Sequence, residues 1–222
     1  MTYIISGQGQ TGDGGKTEIL KCIAVHAMRK WKAKVQMIDL DAQEHRDTSK
    51  WINARKEVDQ GFTPDLKEAN SAEEGIELID ESYNLNIIDC PSRADEAGVM
   101  IANEVDLVVV PVGRKKSHEN NVAYIAKLIG HGVDPEKIVW VPSRLTKGST
   151  KQLRENRQAY ELSKIDGNAL PDMGVKYCQF PIYQKDTYGD AIEEYQSFIE
   201  CSHAASRVEA EKMTAQILNY LQ

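Results

Sequence analysis

Gly9-Gln10-Thr11-Gly12-Asp13-Gly14-Gly15-Lys16-Thr17 decides how this chain is read. It follows the short apolar run Tyr3-Ile4-Ile5-Ser6 and opens a long apolar stretch with helical spacing. A glycine-rich turn between a strand and a helix gathers backbone N–H groups around an anion, and the helix N-terminus adds its partial positive charge. Lys16 can then reach the β- and γ-phosphates of a nucleotide, and the Thr17 hydroxyl can bind Mg²⁺. The pattern is that of a phosphate-binding loop with one irregularity. The glycine usual six residues before the lysine is Gln10 here.

Around this loop, apolar strands alternate with amphipathic stretches. The patterning predicts strands near Tyr3–Ser6, Val35–Asp39, Asn86–Asp89, Leu107–Val112, Ile138–Val141 and Val175–Phe180. Runs such as Leu107-Val108-Val109-Val110 suit parallel strands covered on both faces. Between strands, Lys16 to Lys32 carries Ile19, Ile23, Ala27 and Trp31 on one face, and Ala72 to Tyr83 carries Ile76, Ile79 and Tyr83. Val122, Ile125 and Ile129 mark another helix, Thr150 to Leu162 a further one, and Ala210, Met213, Ile217 and Leu221 a last one over Ser206 to Gln222. Gly61-Phe62-Thr63-Pro64-Asp65 reads as a turn-rich loop. The β-α-β-α order implies an α/β fold, a doubly wound, mainly parallel sheet flanked by helices, formed as a single domain over residues 1–222.

Composition narrows the class. The 222 residues are 41% hydrophobic and 27% charged, as in ordinary globular domains. No apolar run is long enough to span a bilayer, and no secretory leader pattern opens the chain. The four cysteines have no C-x-x-C spacing, which fits reduced thiols and a cytoplasmic location. A net charge of −7 argues against wholesale attraction to nucleic acid, so any DNA contact needs a local basic patch.

Carboxylates stand at the strand ends where ligands of a doubly wound sheet gather. Asp39-Leu40-Asp41 closes the second predicted strand, and Asn86-Ile87-Ile88-Asp89-Cys90-Pro91 is an apolar strand ending in Asp. Asp89 is placed to hold Mg²⁺ through water, and Asp39 or Asp41 to orient an attacking water. The plainer alternative is that these aspartates cap the helices that follow.

Thr11 to Thr17, then Asp39-Leu40-Asp41-Ala42-Gln43, then Ile87-Ile88-Asp89-Cys90-Pro91, then Asp106-Leu107-Val108-Val109-Val110-Pro111 together resemble the ParA/MinD ATPases. Those proteins carry a deviant Walker A loop K-G-G-x-G-K-T, a D-x-D-P-Q segment, a strand ending D-x-P-P and an A-D-L-V-hydrophobic-P strand. The resemblance extends to Asp186-Thr187-Tyr188-Gly189-Asp190-Ala191, similar to a late Y-x-E-A segment. The length looks most like the small plasmid-partition branch, with plasmid-stability ATPases equally compatible. The resemblance implies an ATPase that uses ATP and Mg²⁺, and Thr11 in place of the family's lysine predicts a low intrinsic rate. It implies that Gly12, Asp13, Gly14, Gly15, Lys16 and Thr17 surround the phosphates, with Lys16 and Asp41 catalytic. Thr17, Asp39 and Asp89 would form the Mg²⁺ shell, and Pro181 and Ile182 would approach adenine. Expected partners are ATP/ADP, a plasmid-encoded DNA-binding adaptor protein, non-specific DNA and a second copy in a nucleotide-dependent homodimer, with nucleoid association and no membrane.

Two positions depart from that pattern. The signature lysine, which in the family crosses the dimer interface, falls at Thr11, and Asp13 replaces a glycine. At about 4 Å and an effective dielectric of about 20, two like unit charges repel by about 4 kcal/mol, so Asp13 works against a triphosphate. Ser143 before Arg144 also stands where the family has Asn-Arg. Lys147, Lys151, Arg154 and Arg157 are candidates for phosphate-tracking DNA contacts, against the alternative of a solvated helix face. The last helix mixes Arg207 and Lys212 with Glu209 and Glu211, unlike a membrane-surface helix. Competing functions are a nucleotide-binding adaptor with little turnover and a small-molecule ligase of the dethiobiotin-synthetase type. The second lacks the D-x-D-x-Q segment that this chain has.

Overall fold

The computed structural model describes residues 2–10, 15–40, 47–58, 60–92, 96–113, 115–146 and 148–222. Strands β1 (Tyr3–Gly7), β2 (Val35–Asp39), β3 (Asp65–Glu68), β4 (Leu85–Asp89), β5 (Leu107–Val112), β6 (Ile138–Pro142) and β10 (Lys176–Tyr177) form a seven-stranded sheet in the order β10-β6-β5-β1-β4-β2-β3. Every pairing in it is parallel. Short strands β7 (Leu145–Thr146) and β11 (Tyr183–Gln184) pair with each other, and β8 (Lys164–Ile165) and β9 (Asn168–Ala169) form a hairpin. The helices are α1 (Lys16–His26), α2 (Asp47–Glu57), α3 (Ala72–Glu77), α4 (Glu96–Glu104), α5 (Lys115–Gly130), α6 (Thr150–Leu162), α7 (Asp186–Glu193) and α8 (Ala204–Asn219).

The period-two pleat divides the apolar strands between two cores. Met37, Ile87 and Val109 face one, with Ile23 of α1, Ile52 of α2 and Ile217 of α8. Ile38, Ile88 and Val108 face the other, with Ile101 of α4, Ile125 of α5 and Tyr160 of α6. Near-continuous apolar runs are therefore what this sheet requires. The expected single domain with a doubly wound parallel sheet is what forms.

Several boundaries differ from the predicted ones, each for a visible reason. The first helix ends in a π-helical turn, Ala27–Trp31. Its apolar residues recur every fourth position, slower than the 3.6 of an α-helix, and the wider turn keeps Trp31 against the core. The helix predicted over Ala72 to Tyr83 stops at Glu77. The Leu78 carbonyl accepts instead from Gln36 Nε2 at 2.8 Å, and Asn86 Nδ2 donates to the Asp80 carbonyl. Of the strand predicted over Val175–Phe180, Lys176–Tyr177 pairs in the sheet. Beyond it, the Gln179 N–H turns to Gln216 Oε1 on α8 at 2.8 Å. Asp65, read as loop, opens the polar edge strand β3.

Two contacts fix the elements that carry the strand-end carboxylates. A Cβ added at Gly75 would lie 2.8 Å from Leu40 Cδ2, so α3 packs directly on the residue that precedes Asp41. On α2, the fully buried Arg55 guanidinium donates to Glu200 at 2.8 and 3.0 Å, to the Tyr195 carbonyl at 2.8 Å and to the carbonyls of Gly61 and Phe62. It also lies 4.7 Å from the Trp51 ring centroid. One side chain thus joins α2, the loop before β3 and the segment after α7.

Candidate functional site

The sheet register lines up the carboxyl ends of three strands. Gly7 of β1 pairs with Asp89 of β4, which pairs in turn with Asp39 of β2. Chain order reverses around β1, because β4 and β5 flank it, which makes this row the place where ligands bind in a doubly wound sheet. Helix α1 starts over the same row. Gly15 precedes it with φ +76°, a left-handed conformation that glycine adopts without steric cost, and among the described residues no side-chain hydrogen bond caps its N-terminus.

Lys16, Thr17 and Asp89 meet there. Lys16 Nζ lies 2.9 Å from Asp89 Oδ1, and Thr17 Oγ donates to Asp89 Oδ2 at 2.8 Å. Thr48, in the first turn of α2, donates to the same oxygen at 2.7 Å. Burial pushes the Asp89 carboxyl up, but the Lys16 ammonium and the bonds from Lys16, Thr48 and Thr17 outweigh it and hold the group below the ordinary carboxylate range. Asp39 is fully buried, and its Oδ2 accepts from the Ser49 N–H at 2.9 Å and the Ser49 hydroxyl at 2.7 Å. The capping alternative therefore holds for Asp39 in this state, on α2. Thr48 and Ser49 were not singled out in the sequence, and neither was the helix α2 that carries them. Beside the row, Cys90 is buried, which pushes its thiol up to about 12.

On the other side of the loop, Tyr124 of α5 donates to Gln8 Oε1 at 2.6 Å, and Gln8 Nε2 donates to Ser6 Oγ at 3.0 Å. A cavity of about 220 Å³ opens next to Gly15, lined among others by Glu18, Ser143, Arg144, Ile182 and Tyr188. Ile182 lines it, whereas the neighbouring Pro181 is buried and is not among the lining residues. Arg144, in a left-handed conformation at φ 48°, brings Nε to 3.6 Å from a Cβ position at Gly15. A larger and more open depression of about 790 Å³ between α5 and α6, walled by Val122, Ala126, Ala159 and Leu162, contains none of these groups.

Other predicted site residues lie apart. Thr11, Gly12, Asp13, Gly14, Asp41 and Lys147 fall outside the described residues. On α6, Arg154 is exposed and Lys151, 85% exposed, reaches Glu155 at 4.0 Å. Arg157 is held by Glu161 at 2.6 Å and over the Tyr177 ring at 4.5 Å. Among the described residues no helix is long and apolar enough to cross a membrane.

Searches with protein-family models and among curated protein sequences return no match. Solved structures do match along almost the whole chain. MinD of Pyrococcus horikoshii OT3 complexed with Mg-ADP is 13% identical with a TM-score of 0.65, covering 98% of this chain and 96% of its own. A ParA family ATPase from Chlorobium tepidum TLS is 13% identical with a TM-score of 0.60 and coverage of 98% and 99%. A plasmid partition protein from Borrelia burgdorferi is 14% identical with a TM-score of 0.60 and coverage of 98% on both sides. With its seven-stranded parallel sheet flanked by helices, the chain has the fold of the ParA and MinD ATPases.

Proposed function

We propose that the protein is an ATP-binding switch of the ParA type that acts in plasmid partition, stability or positioning. The observation that carries this reading is the convergence of Lys16, Thr17 and Asp89 at the start of α1. The oxygens of Thr17 and Asp89 suit a hard cation, and among the described residues no group of three His, Cys, Asp or Glu forms an all-protein cage. That fits Mg²⁺ shared with phosphates, which supplies charge neutralisation when bound. Lys16 leaves Asp89 to meet the phosphates, with Gly12, Asp13, Gly14 and Gly15 providing the loop. Asp41 orients the attacking water, Asp39 supports the cation shell through α2, and Ile182, backed by Pro181, contacts the base. The same reading includes a nucleotide-dependent homodimer and an adaptor protein that holds DNA.

A second reading, an adaptor with little turnover, is favoured by one further observation. Thr11 in the position of the family's lysine removes a cation from the loop, and Asp13 in place of a glycine adds an anion to it. Steady-state ATPase measurements, with and without DNA and the neighbouring plasmid-encoded proteins, separate the two: turnover stimulated by either supports the switch, and tight binding without turnover supports the adaptor.

Asp41→Ala is expected to retain ATP and lose turnover, because removing a water-orienting carboxylate affects the transition state more than the ground state. Equal losses in affinity and rate make Asp41 a structural group instead. Thr11→Lys combined with Asp13→Gly is expected to raise the ATPase rate and dimerisation together, since a cation delivered to transition-state charge is worth about 10³- to 10⁵-fold in related enzymes. An unchanged rate indicates that another cation, with Arg144 beside Gly15 as the candidate, already serves.

DNA contact through α6 rests on Lys151 and Arg154, with Lys147 flanking them and Arg157 contributing only if it leaves Glu161. Charge reversal at Lys151 and Arg154 is expected to weaken binding to unrelated DNA sequences equally and to flatten its salt dependence, leaving nucleotide affinity unchanged. Gel-shift titrations across ionic strength check this. No binding by the wild type at low salt assigns DNA to the partner alone.

A further inference from the structure

The first turn of α2 donates to two strand ends at once. Asp39 and Asp89 are register partners on the neighbouring parallel strands β2 and β4, whose backbones lie about 4.7–4.9 Å apart. Carboxylates at such adjacent positions repel each other. Thr48 and Ser49, consecutive on α2, take one each. The Thr48 hydroxyl donates to Asp89 Oδ2 at 2.7 Å, and Ser49 donates to Asp39 Oδ2 through both its N–H and its hydroxyl. Thr48 is fully buried and Ser49 is 3% exposed. The Thr48 bond is not a helix cap, in which a side chain accepts from a first-turn N–H. A threonine hydroxyl has one proton, and Thr48 spends it on a carboxylate of another element. Further along α2, Trp51 and Ile52 pack in the core and Arg55 is held by Glu200, so the turn that carries Thr48 is fixed from behind.

We propose that Thr48 is a positioning residue for the cation site, keeping the Asp89 carboxylate oriented while Lys16 and Thr17 serve the nucleotide. This rests on the nucleotide-binding reading and adds to it a residue from outside the phosphate loop. Among the described residues, three side chains bond Asp89: Lys16, Thr17 and Thr48. On that reading Lys16 turns to the phosphates and the Thr17 oxygen to Mg²⁺, so two of the three take on a second task. Thr48 has only the first. A carboxylate that helps to hold a cation depends on its own hydrogen bonds for its orientation, and losing such a partner costs about 10- to 100-fold in metal affinity.

Thr48→Val removes the hydroxyl and keeps the branched shape. Binding of a non-hydrolysable ATP analogue to the wild type, Thr48→Val, Thr48→Ser and Thr48→Ala, measured by calorimetry in EDTA and over a series of Mg²⁺ concentrations, tests the proposal. In Thr48→Val the Mg²⁺ concentration that gives half of the gain in affinity is expected to rise about 10- to 100-fold, with the affinity in EDTA unchanged. Thr48→Ser is expected to keep the wild-type requirement. Serine against alanine isolates the same hydroxyl without the methyl group, so that comparison decides the matter if the valine variant does not fold. A Mg²⁺ requirement that is the same with and without the hydroxyl overturns the proposal. An equal fall in affinity in EDTA and in Mg²⁺ also overturns it, because Thr48 is then a packing residue. So does a wild type that binds the analogue with no gain from Mg²⁺. A wild type that binds no analogue under either condition overturns the nucleotide-binding reading as well.

Discussion

Replacing Lys16 by alanine is expected to abolish nucleoside triphosphate binding and to lower the stability of the nucleotide-free protein. Losing one member of a buried, hydrogen-bonded charge pair costs about 2–5 kcal/mol in binding, or about 30-fold to several thousand-fold in affinity. Lys16 answers Asp89, and the two side chains are 11% and 3% exposed. Breaking such a pair costs about 3–5 kcal/mol when nothing replaces it. The Thr17 and Thr48 hydroxyls still reach Asp89, so the loss falls below that range.

The sign with pH is distinctive. In the wild type the Asp89 carboxyl lies below its unfolded value, so its contribution is present above about pH 3.9 and is lost as pH falls through the folded value. Without Lys16, burial dominates and the carboxyl moves up, so the variant weakens as pH rises through the carboxylate range. The stability gap between wild type and Lys16→Ala therefore widens from about pH 4 to pH 7, and Asp89→Asn added to the variant closes much of it. Urea unfolding at several pH values checks this. Wild-type nucleotide affinity in Lys16→Ala removes the phosphate-loop assignment.

Arg55→Ala is expected to produce the largest loss of stability. It leaves Glu200, 11% exposed, without its cation and strips donors from the carbonyls of Gly61, Phe62 and Tyr195. About 3–5 kcal/mol follows from breaking the buried pair, which corresponds to a fall in Tm of about 6–20 °C for a domain of this size. Lysine is not a conservative replacement, because one ammonium cannot reproduce the planar fork that meets both Glu200 oxygens. Arg55→Ala combined with Glu200→Gln should recover part of the loss by removing the stranded charge. A fall of less than about 1 kcal/mol in the single variant shows that water satisfies these groups and that α2 is held by its apolar contacts.

What could be read in the sequence was what repeats or is chemically conspicuous. The apolar runs of β1, β2, β4, β5 and β6 announce buried parallel strands, and Lys16 and Thr17 announce the start of α1 after β1. What could not be read was polar structure whose partners are distant in the chain. Helix α2 buries Thr48, Ser49 and Arg55 alongside Trp51 and Ile52, so it shows no clean apolar stripe. Its hydroxyls serve Asp89 and Asp39, 41 and 10 residues away, a relation that no local pattern encodes. Strand β3, Asp-Leu-Lys-Glu at the sheet edge, looks like loop because only one side of it is paired. Arg157 reads as part of a basic stripe because spacing does not reveal that Glu161 and Tyr177 hold it.

The contact between Gly75 and Leu40 carries a genetic consequence. Gly75 belongs to a six-residue helix with no chemistry of its own, yet any larger residue there must displace the Leu40 side chain. Leu40 is the last described residue before Asp41, and its N–H is bonded to the Asp89 carbonyl at 3.0 Å. If Asp41 orients the attacking water as proposed, a screen for loss of function should therefore recover substitutions at position 75 whose phenotype matches that of Asp41→Ala. Such alleles would fill the protein with nucleotide as readily as the wild type and fail at the step that resets it.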